Sequence, residues 1–356
     1  MDHPVELSFE QPVDHTQCKS ATKDAHSRQD RFFSSYTAAP NAEILKATNV
    51  LAVVNFNGQS NRSTDPRVIN SGLNLLNASP VTEVIYSTSP VTVGSCEGLN
   101  WSKNEEMLLV SAHVDEAEYA GIEAATEDVY QKLLRFIGDA GYSHIVRVWN
   151  YLADINLGEG DEERYKQFCA GRHRAFEQVA PDAAYPSACA LGHDGGSLVV
   201  YLLASKTGVE HYENPDQISA FRYPRQYGPK SPSFARASCV DWSDWSMLFL
   251  SGTASIKGHE TLHEDDVSQQ VSVTADNIQR LFDSICESRA ERDVSFNNPE
   301  NTVRLETIKV YIRHKAQYQQ IRRVVETLFP SVNAIYLRGD ICRSDLAVEI
   351  DGHAYF

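Results

Sequence analysis

Near the end of the sequence a single carboxylate, Glu349, interrupts an apolar run between Val348 and Ile350. Successive side chains of a strand point to opposite faces, so Glu349 points away from both neighbours. If Val348 and Ile350 face a core, Glu349 faces a cleft or another subunit. A carboxyl in apolar surroundings has its proton affinity raised, and a raised pKa makes a usable general acid at neutral pH. Cys342 stands seven residues earlier in the same region. Arg338 and Arg343 lie close by in sequence and offer the plainer alternative, a structural ion pair with Glu349.

Three further clusters carry polar chemistry. Residues 221–236 mix prolines and tyrosines with Arg222, Arg225, Lys230 and Arg236. Proline fixes the backbone, Tyr223 and Tyr227 offer rigid rings with hydroxyls, and arginine grips a carboxylate by two parallel bonds. The stretch reads as an anion-binding loop or as an ordinary linker with solvated arginines. The small residues Ser251-Gly252-Thr253-Ala254 follow an apolar strand. They either let a ligand approach the backbone or simply make a tight turn. Arg147, Trp149, Asn150, Tyr151, Asn156, Glu159, Arg164 and Tyr165 gather where another strand leaves its sheet. That group reads as substrate contacts or as loop-capping hydrogen bonds.

Other chemistry is poorly supported. A net charge of −16 argues against nucleic-acid binding, and an anionic metabolite would need locally concentrated Arg or Lys. Seven cysteines without paired spacing fit reduced thiols in a cytosol. There is no CxxC and no HExxH, so no metal site is expected, and His113, His144, His193 and His259 read as surface or loop histidines. No GxSxG supports a serine nucleophile, and the turn at residues 192–196 is no phosphate cradle. The first residues lack a basic and an apolar region, and no apolar run approaches the ~20 residues of a membrane span. A cytoplasmic protein without membrane contact is expected.

The elements that must position these groups follow from hydrophobic spacing. Residues 1–48 are polar and turn-rich and are expected to wrap the surface. Strands are predicted at 50–56, 108–114, 144–151 and 198–204, with helices ending near Gly138 and spanning 162–178. The second half repeats the order. It has strands at 247–252 and 307–312, a long amphipathic helix through Val267, Val271, Ile278, Leu281 and Ile285, a helix at 318–329, and final strands at 334–341 and 346–355. This predicts an α+β fold of two similar domains, residues 1–205 and 206–356, each a mixed β-sheet with helices packed on one face. The active site is placed in the second.

Five stretches together resemble the chorismatase family: residues 149–156, 163–172, 227–236, 249–260 and the Glu349 segment. The resemblance runs from about residue 50 to the C-terminus. The C-terminal half is also similar to one subunit of the reactive-intermediate deaminases, through its Leu-Ser-Gly strand, Gln269 and Asn277 on a long helix, and the final Val-Glu-Ile. The family implies chorismate as substrate and no metal or organic cofactor. It implies Glu349 as the acid that protonates the enolpyruvyl methylene, Arg164 and Arg236 as carboxylate grips, and Tyr151 and Tyr223 as hydrogen-bond partners; Arg338 is a further expected contact. A cysteine seven residues before the acid is typical of types that aromatise the ring to 3-hydroxybenzoate, and Cys342 fits. Ala254 stands where the simple 3-hydroxybenzoate type tends to have Gly and the hydrolytic type Ala. That combination favours a dual 3- and 4-hydroxybenzoate producer serving ubiquinone or pigment synthesis. Release of the dihydroxy-cyclohexadiene acid, an imine deaminase and a silent metabolite sensor stay as alternatives. A monomer or weak oligomer is expected.

Overall fold

Strands such as MLLVSAHVD and SLVVYLLAS are apolar almost throughout, which marks strands buried on both faces. The fold meets that demand by stacking sheets between helices. The computed structural model of the protein describes residues 32–242, 245–292 and 303–355. The expected surface wrapping by residues 1–31 lies outside them.

In chain order the strands of the first half are β1 (Phe33–Thr37), β2 (Val50–Asn55), β3 (Val68–Asn70), β4 (Asn74–Leu75), β5 (Thr82–Tyr86), β6 (Thr92–Cys96), β7 (Leu99–Lys103), β8 (Met107–Asp115), β9 (His144–Ala153), β10 (Ser187–His193) and β11 (Ser197–Ser205). Its helices are α1 (Asn41–Ile44), α2 (Ile122–Asp139) and α3 (Arg164–Val179). The second half has β12 (Val209–Tyr212), β13 (Ala237–Asp241), β14 (Ser246–Ala254), β15 (Ile256–Lys257), β16 (Glu260–Thr261), β17 (Arg304–Ile312), β18 (Asn333–Arg338), β19 (Asp340–Ile341) and β20 (Val348–Tyr355). Its helices are α4 (Val267–Arg292) and α5 (Tyr318–Leu328).

Two seven-stranded sheets repeat one plan. The first runs β19-β10-β9-β11-β8-β7-β6 and the second β4-β18-β17-β20-β14-β13-β12. In each, one pair is parallel, β9 with β10 and β17 with β18, and the other pairings are antiparallel. Alternation sorts the side chains. Leu108, Val110, Leu198, Val200 and Leu202 pack outward under α2 and α3, while Leu248, Leu250, Ile308, Val310, Val348 and Ile350 pack under α4 and α5. Leu109, Tyr151, Val199, Tyr201, Phe249, Tyr311 and Leu337 point inward and share one core. A small sheet, β1-β5-β2-β3, adds Leu51, Val54, Ile69 and Ile85 to it.

The halves interlock more than the sequence suggests. The expected junction after residue 205 falls between β11 and β12. Yet β4 from the first half extends the second sheet, and β19 from the second half extends the first. The predicted single strand at 334–341 is therefore two, divided at Gly339, whose neighbours are Leu73 and the Gly192 carbonyl. The strands β7, β10 and β13, which have shorter or smaller-residue patterns, escaped the sequence reading. His193, expected in a loop, ends β10 and is buried. Its Nδ1 accepts from the Gly195 amide and its Nε2 bonds the Ser197 carbonyl.

Charges are buried where the three sheets meet. Arg147 on β9 bonds Asp351 on β20 at 2.8 Å, and Lys309 on β17 bonds Glu83 on β5 at 3.0 Å and lies 3.9 Å from Asp351. All four are nearly inaccessible, so each depends on its partners for solvation. Glu83→Gln should therefore cost about 3–5 kcal/mol in urea unfolding, while Glu83→Leu with Lys309→Met should cost much less. Equal losses in the two variants would contradict this reading.

Candidate active site

Val348 and Ile350 do face the α4 side core, and Glu349 emerges on the opposite face of β20. Its register places it beside Ala254 of β14 and Tyr311 of β17. The β14 ladder is irregular between Leu250 and Thr253, and Gly252 sits under the carboxyl there. A Cβ on Gly252 would overlap Glu349 Oε1 and come within 3.2 Å of Cys189 Cβ. Glycine is required at that position by close approach, not by backbone angle.

Glu349 is 4% exposed and makes no hydrogen bond or ion pair to protein among the described residues. The alternative pairing with Arg338 or Arg343 does not form: Arg338 bonds Asp340 at 3.2 Å, and Arg343 donates to the His259 carbonyl at 2.7 Å. Burial is the first cause that pushes Glu349 up, to about 8, with Asp351 adding to it and Arg147 and Arg313 opposing.

The carboxyl borders a cavity of about 210 Å³ where α3 of the first half meets β14 and β20 of the second, and β10 closes the recess behind it. Tyr165, Gly252, Phe234, Cys342 and Glu349 are shared with a deeper recess of about 40 Å³. The outer part carries Arg236, Arg343 and Lys166, and the recess carries Arg172. A wider groove of about 570 Å³ beside α5 has no buried acid, and its Arg322 is paired with Glu326. The smaller cavity is therefore the candidate site.

Arg172 is the residue that the sequence reading missed. It is 4% exposed, lies against the Tyr130 and Phe176 rings, and bonds the Ser233 carbonyl through Nη1. Its Nε and Nη2 have no hydrogen-bond partner among the described residues. A buried guanidinium with unfilled donors is costly unless an anion joins it. The signal was available: Tyr165, Phe168, Cys169 and Arg172 share one helix face at i, i+3, i+4 and i+7, with no acid on that face to pair the arginine.

Arg236 and Tyr223 line the outer cavity as expected, and the Arg236 Nη2 donates to the Tyr223 hydroxyl at 2.8 Å, leaving Nε without a partner. Ala254 and Cys342 line it too. The loop carrying Cys342 and Arg343 is clamped by Arg313, which donates to the carbonyls of Ile341, Arg343 and Leu346. Arg343 stacks on Tyr227 with 4.0 Å to the ring centroid. Burial pushes the Cys342 thiol up to about 12, with the neighbouring Glu349 adding to it, so it is a neutral wall group.

Three expected contacts lie elsewhere. Tyr151 is fully buried on the inner face, its hydroxyl 3.3 Å from those of Tyr201 and Tyr311. Arg164 turns from the cavity because its Nε bonds the Ala153 carbonyl at 2.9 Å and its Nη2 bonds Glu116. Arg338 is occupied by Asp340 and lies near Asp194. These three brace the walls and do not line the cavity.

The raised Glu349 pKa has a consequence for stability. The folded chain holds this proton more tightly than the unfolded chain, whose carboxyl titrates near the ordinary 4.5. The contribution is complete below about 4.5 and is lost as pH rises through about 8. Thermal unfolding across this range should show Glu349→Gln gaining stability over the unsubstituted protein as pH rises, then levelling off. A difference that does not change with pH would contradict the burial assigned to Glu349.

Residues 83–204 match the family described as chorismatase FkbO/Hyg5-like, N-terminal. A 3-hydroxybenzoate synthase from Streptomyces hygroscopicus is 33% identical over 315 residues, 85% of this chain and 91% of that protein. A chorismatase from Streptomyces rapamycinicus is 35% identical over 279 residues, 76% of this chain and 81% of its own. A chorismatase crystal structure superposes with a TM-score of 0.77 at 27% identity, covering 91% of this chain and 98% of that one. The fold, the buried acid and these relatives together show that the chain belongs to the chorismatase family.

Proposed function

We propose that the chain converts chorismate to pyruvate and 3-hydroxybenzoate, with 4-hydroxybenzoate as a second product, and that Glu349 is its general acid. The observation that carries the reading is the unpaired carboxyl of Glu349 in a closed wall, flanked by cations on both sides of the cavity. Chorismate has a carboxylate on its ring and another on its enolpyruvyl arm. Arg172 in the recess and Arg236 with Arg343 outside supply two separate sites for such a dianion, and Tyr223 and Tyr227 line the outer site.

Glu349 delivers its proton to the methylene carbon of the enolpyruvyl ether. The double-bond electrons form the new C–H bond and leave an oxocarbenium ion. Water adds to that ion, and the resulting hemiketal breaks down to pyruvate and a dihydroxy-cyclohexadiene acid. Loss of water from that ring acid gives hydroxybenzoate. Carbon protonation is intrinsically slow, so a positioned neutral acid is the main requirement; general acid catalysis contributes about 10²–10⁴-fold. Cys342 and Ala254 border the acid and the ring space, which fits a role in steering the ring intermediate toward dehydration. Tyr151, Arg164 and Arg338 hold the surrounding walls in this reading.

Glu349→Gln keeps the shape but cannot give up a proton. Pyruvate release from chorismate should fall at least about 10²-fold with substrate binding largely kept. Near-normal release would remove Glu349 from the role, and no release by the unsubstituted protein would favour an imine deaminase or a silent sensor. Arg172→Met keeps the bulk and removes the charge. Its kcat/KM should drop about 10- to 100-fold, as for a lost hydrogen bond to a charged group. Unchanged kinetics would return Arg172 to a structural role.

A further inference from the structure

Glu349 and Asp351 are alternate residues of β20 and therefore project from the same face. Asp351 is 1% exposed and cannot move away. Its Oδ2 accepts from Arg147 Nη2 at 2.8 Å and from the Tyr311 hydroxyl at 3.0 Å, and its Oδ1 lies 3.9 Å from Lys309 Nζ with no hydrogen-bond partner. Lys309 is itself held by Glu83. Two acids and two bases thus form a closed group of buried ion pairs, and Asp351 is its member on the strand of the acid. We infer that Asp351 is a positioning residue for the reaction: its fixed negative charge, two positions along the strand, keeps the Glu349 carboxyl in its proton-donating form.

The remaining groups around Glu349 do not do this. On α3 and β10 the neighbours Tyr165, Cys169 and Cys189 are neutral, since burial raises each above its ordinary pKa, and Cys342 in the clamped loop is neutral too. Arg147 on β9, Arg313 after β17 and Arg172 on α3 are cations and favour loss of the proton. The cavity's other acids stand in its outer part, Glu163 paired with Lys166 at 3.1 Å and Asp345 in the loop that Arg313 clamps; Asp351 is the acid on the strand of Glu349 that opposes these cations. The ion pairs also explain why that charge is tolerated inside: Arg147 and Lys309 solvate Asp351, while Glu349 has no such partner.

This inference rests on the proposed role of Glu349. The test measures the pH profile of kcat for pyruvate release in Asp351→Asn and in Asp351→Asn with Lys309→Met, which restores the charge balance of the group. Both should lose activity toward alkaline pH earlier than the unsubstituted enzyme, the midpoint moving down by about one pH unit, with rates converging at low pH. Thermal unfolding confirms that each variant is folded. A folded variant whose alkaline limb stays in place, or whose rate falls equally at every pH, would overturn the inference, as would failure of both variants to fold, which leaves Asp351 a scaffold residue. Glu349→Gln assayed in parallel separates the two levels: normal turnover there sinks the acid assignment itself, whereas a dead Glu349→Gln beside an unmoved limb sinks only the role of Asp351.

Discussion

Everything around the cavity depends on burying one carboxyl without pairing it. An acid that meets an arginine inside a protein becomes a carboxylate and loses its use as a donor at neutral pH. Glu349 avoids this although the protein brings Arg147, Arg172, Arg313, Arg236 and Arg343 into the same region. Each of those cations is held by other acceptors or aimed into the cavity. Arg147 is bound to Asp351, Arg313 to three loop carbonyls, and Arg343 to the His259 carbonyl. The site separates the proton donor from the anion-binding groups by assigning the arginines elsewhere.

The repeated sheet plan makes that separation possible. Corresponding strands of the two halves face inward over a common core, and the cavity forms where β10 approaches β14. Neither half supplies the site alone. β20 gives the acid, β14 gives the glycine beneath it, and α3 gives Arg172 and Tyr165. The exchange of β4 and β19 between sheets fixes how the halves meet. A shift of one residue along β20 would put Glu349 in the apolar core among Val310, Leu250 and α4.

Local pattern exposed much of this. The alternation around Glu349 correctly placed the acid opposite the core, because period 2 leaves no other choice once Val348 and Ile350 are buried. The long helices and the apolar strands of both halves were readable for the same reason. Arg236, Tyr223, Ala254 and Cys342 were readable from composition and from the family resemblance, and each lines the cavity. Tyr151, Arg164 and Arg338 were not, because a polar residue near a site in sequence does not reveal which acceptor it finds in three dimensions. Arg164 precedes Arg172 by two helical turns, yet the Ala153 carbonyl and Glu116 capture the first, whereas the second has the Ser233 carbonyl on one nitrogen and no partner among the described residues on the other two. β10 escaped because Ala188, Cys189, Ala190 and Gly192 lack the bulky alternation of a strand; the small side chains of Ala188, Cys189 and Ala190 line the recess.

The protonation state of Glu349 can be observed without substrate. Infrared difference spectra of the unsubstituted protein and Glu349→Gln, recorded from pH 5 to 10, isolate the carboxylic-acid carbonyl band of this one side chain. The buried geometry predicts a band that persists at neutral pH and disappears with a midpoint near pH 8. A band already lost at neutral pH, with a midpoint near the ordinary 4.5, would show a carboxylate in the wall and contradict general-acid catalysis by Glu349.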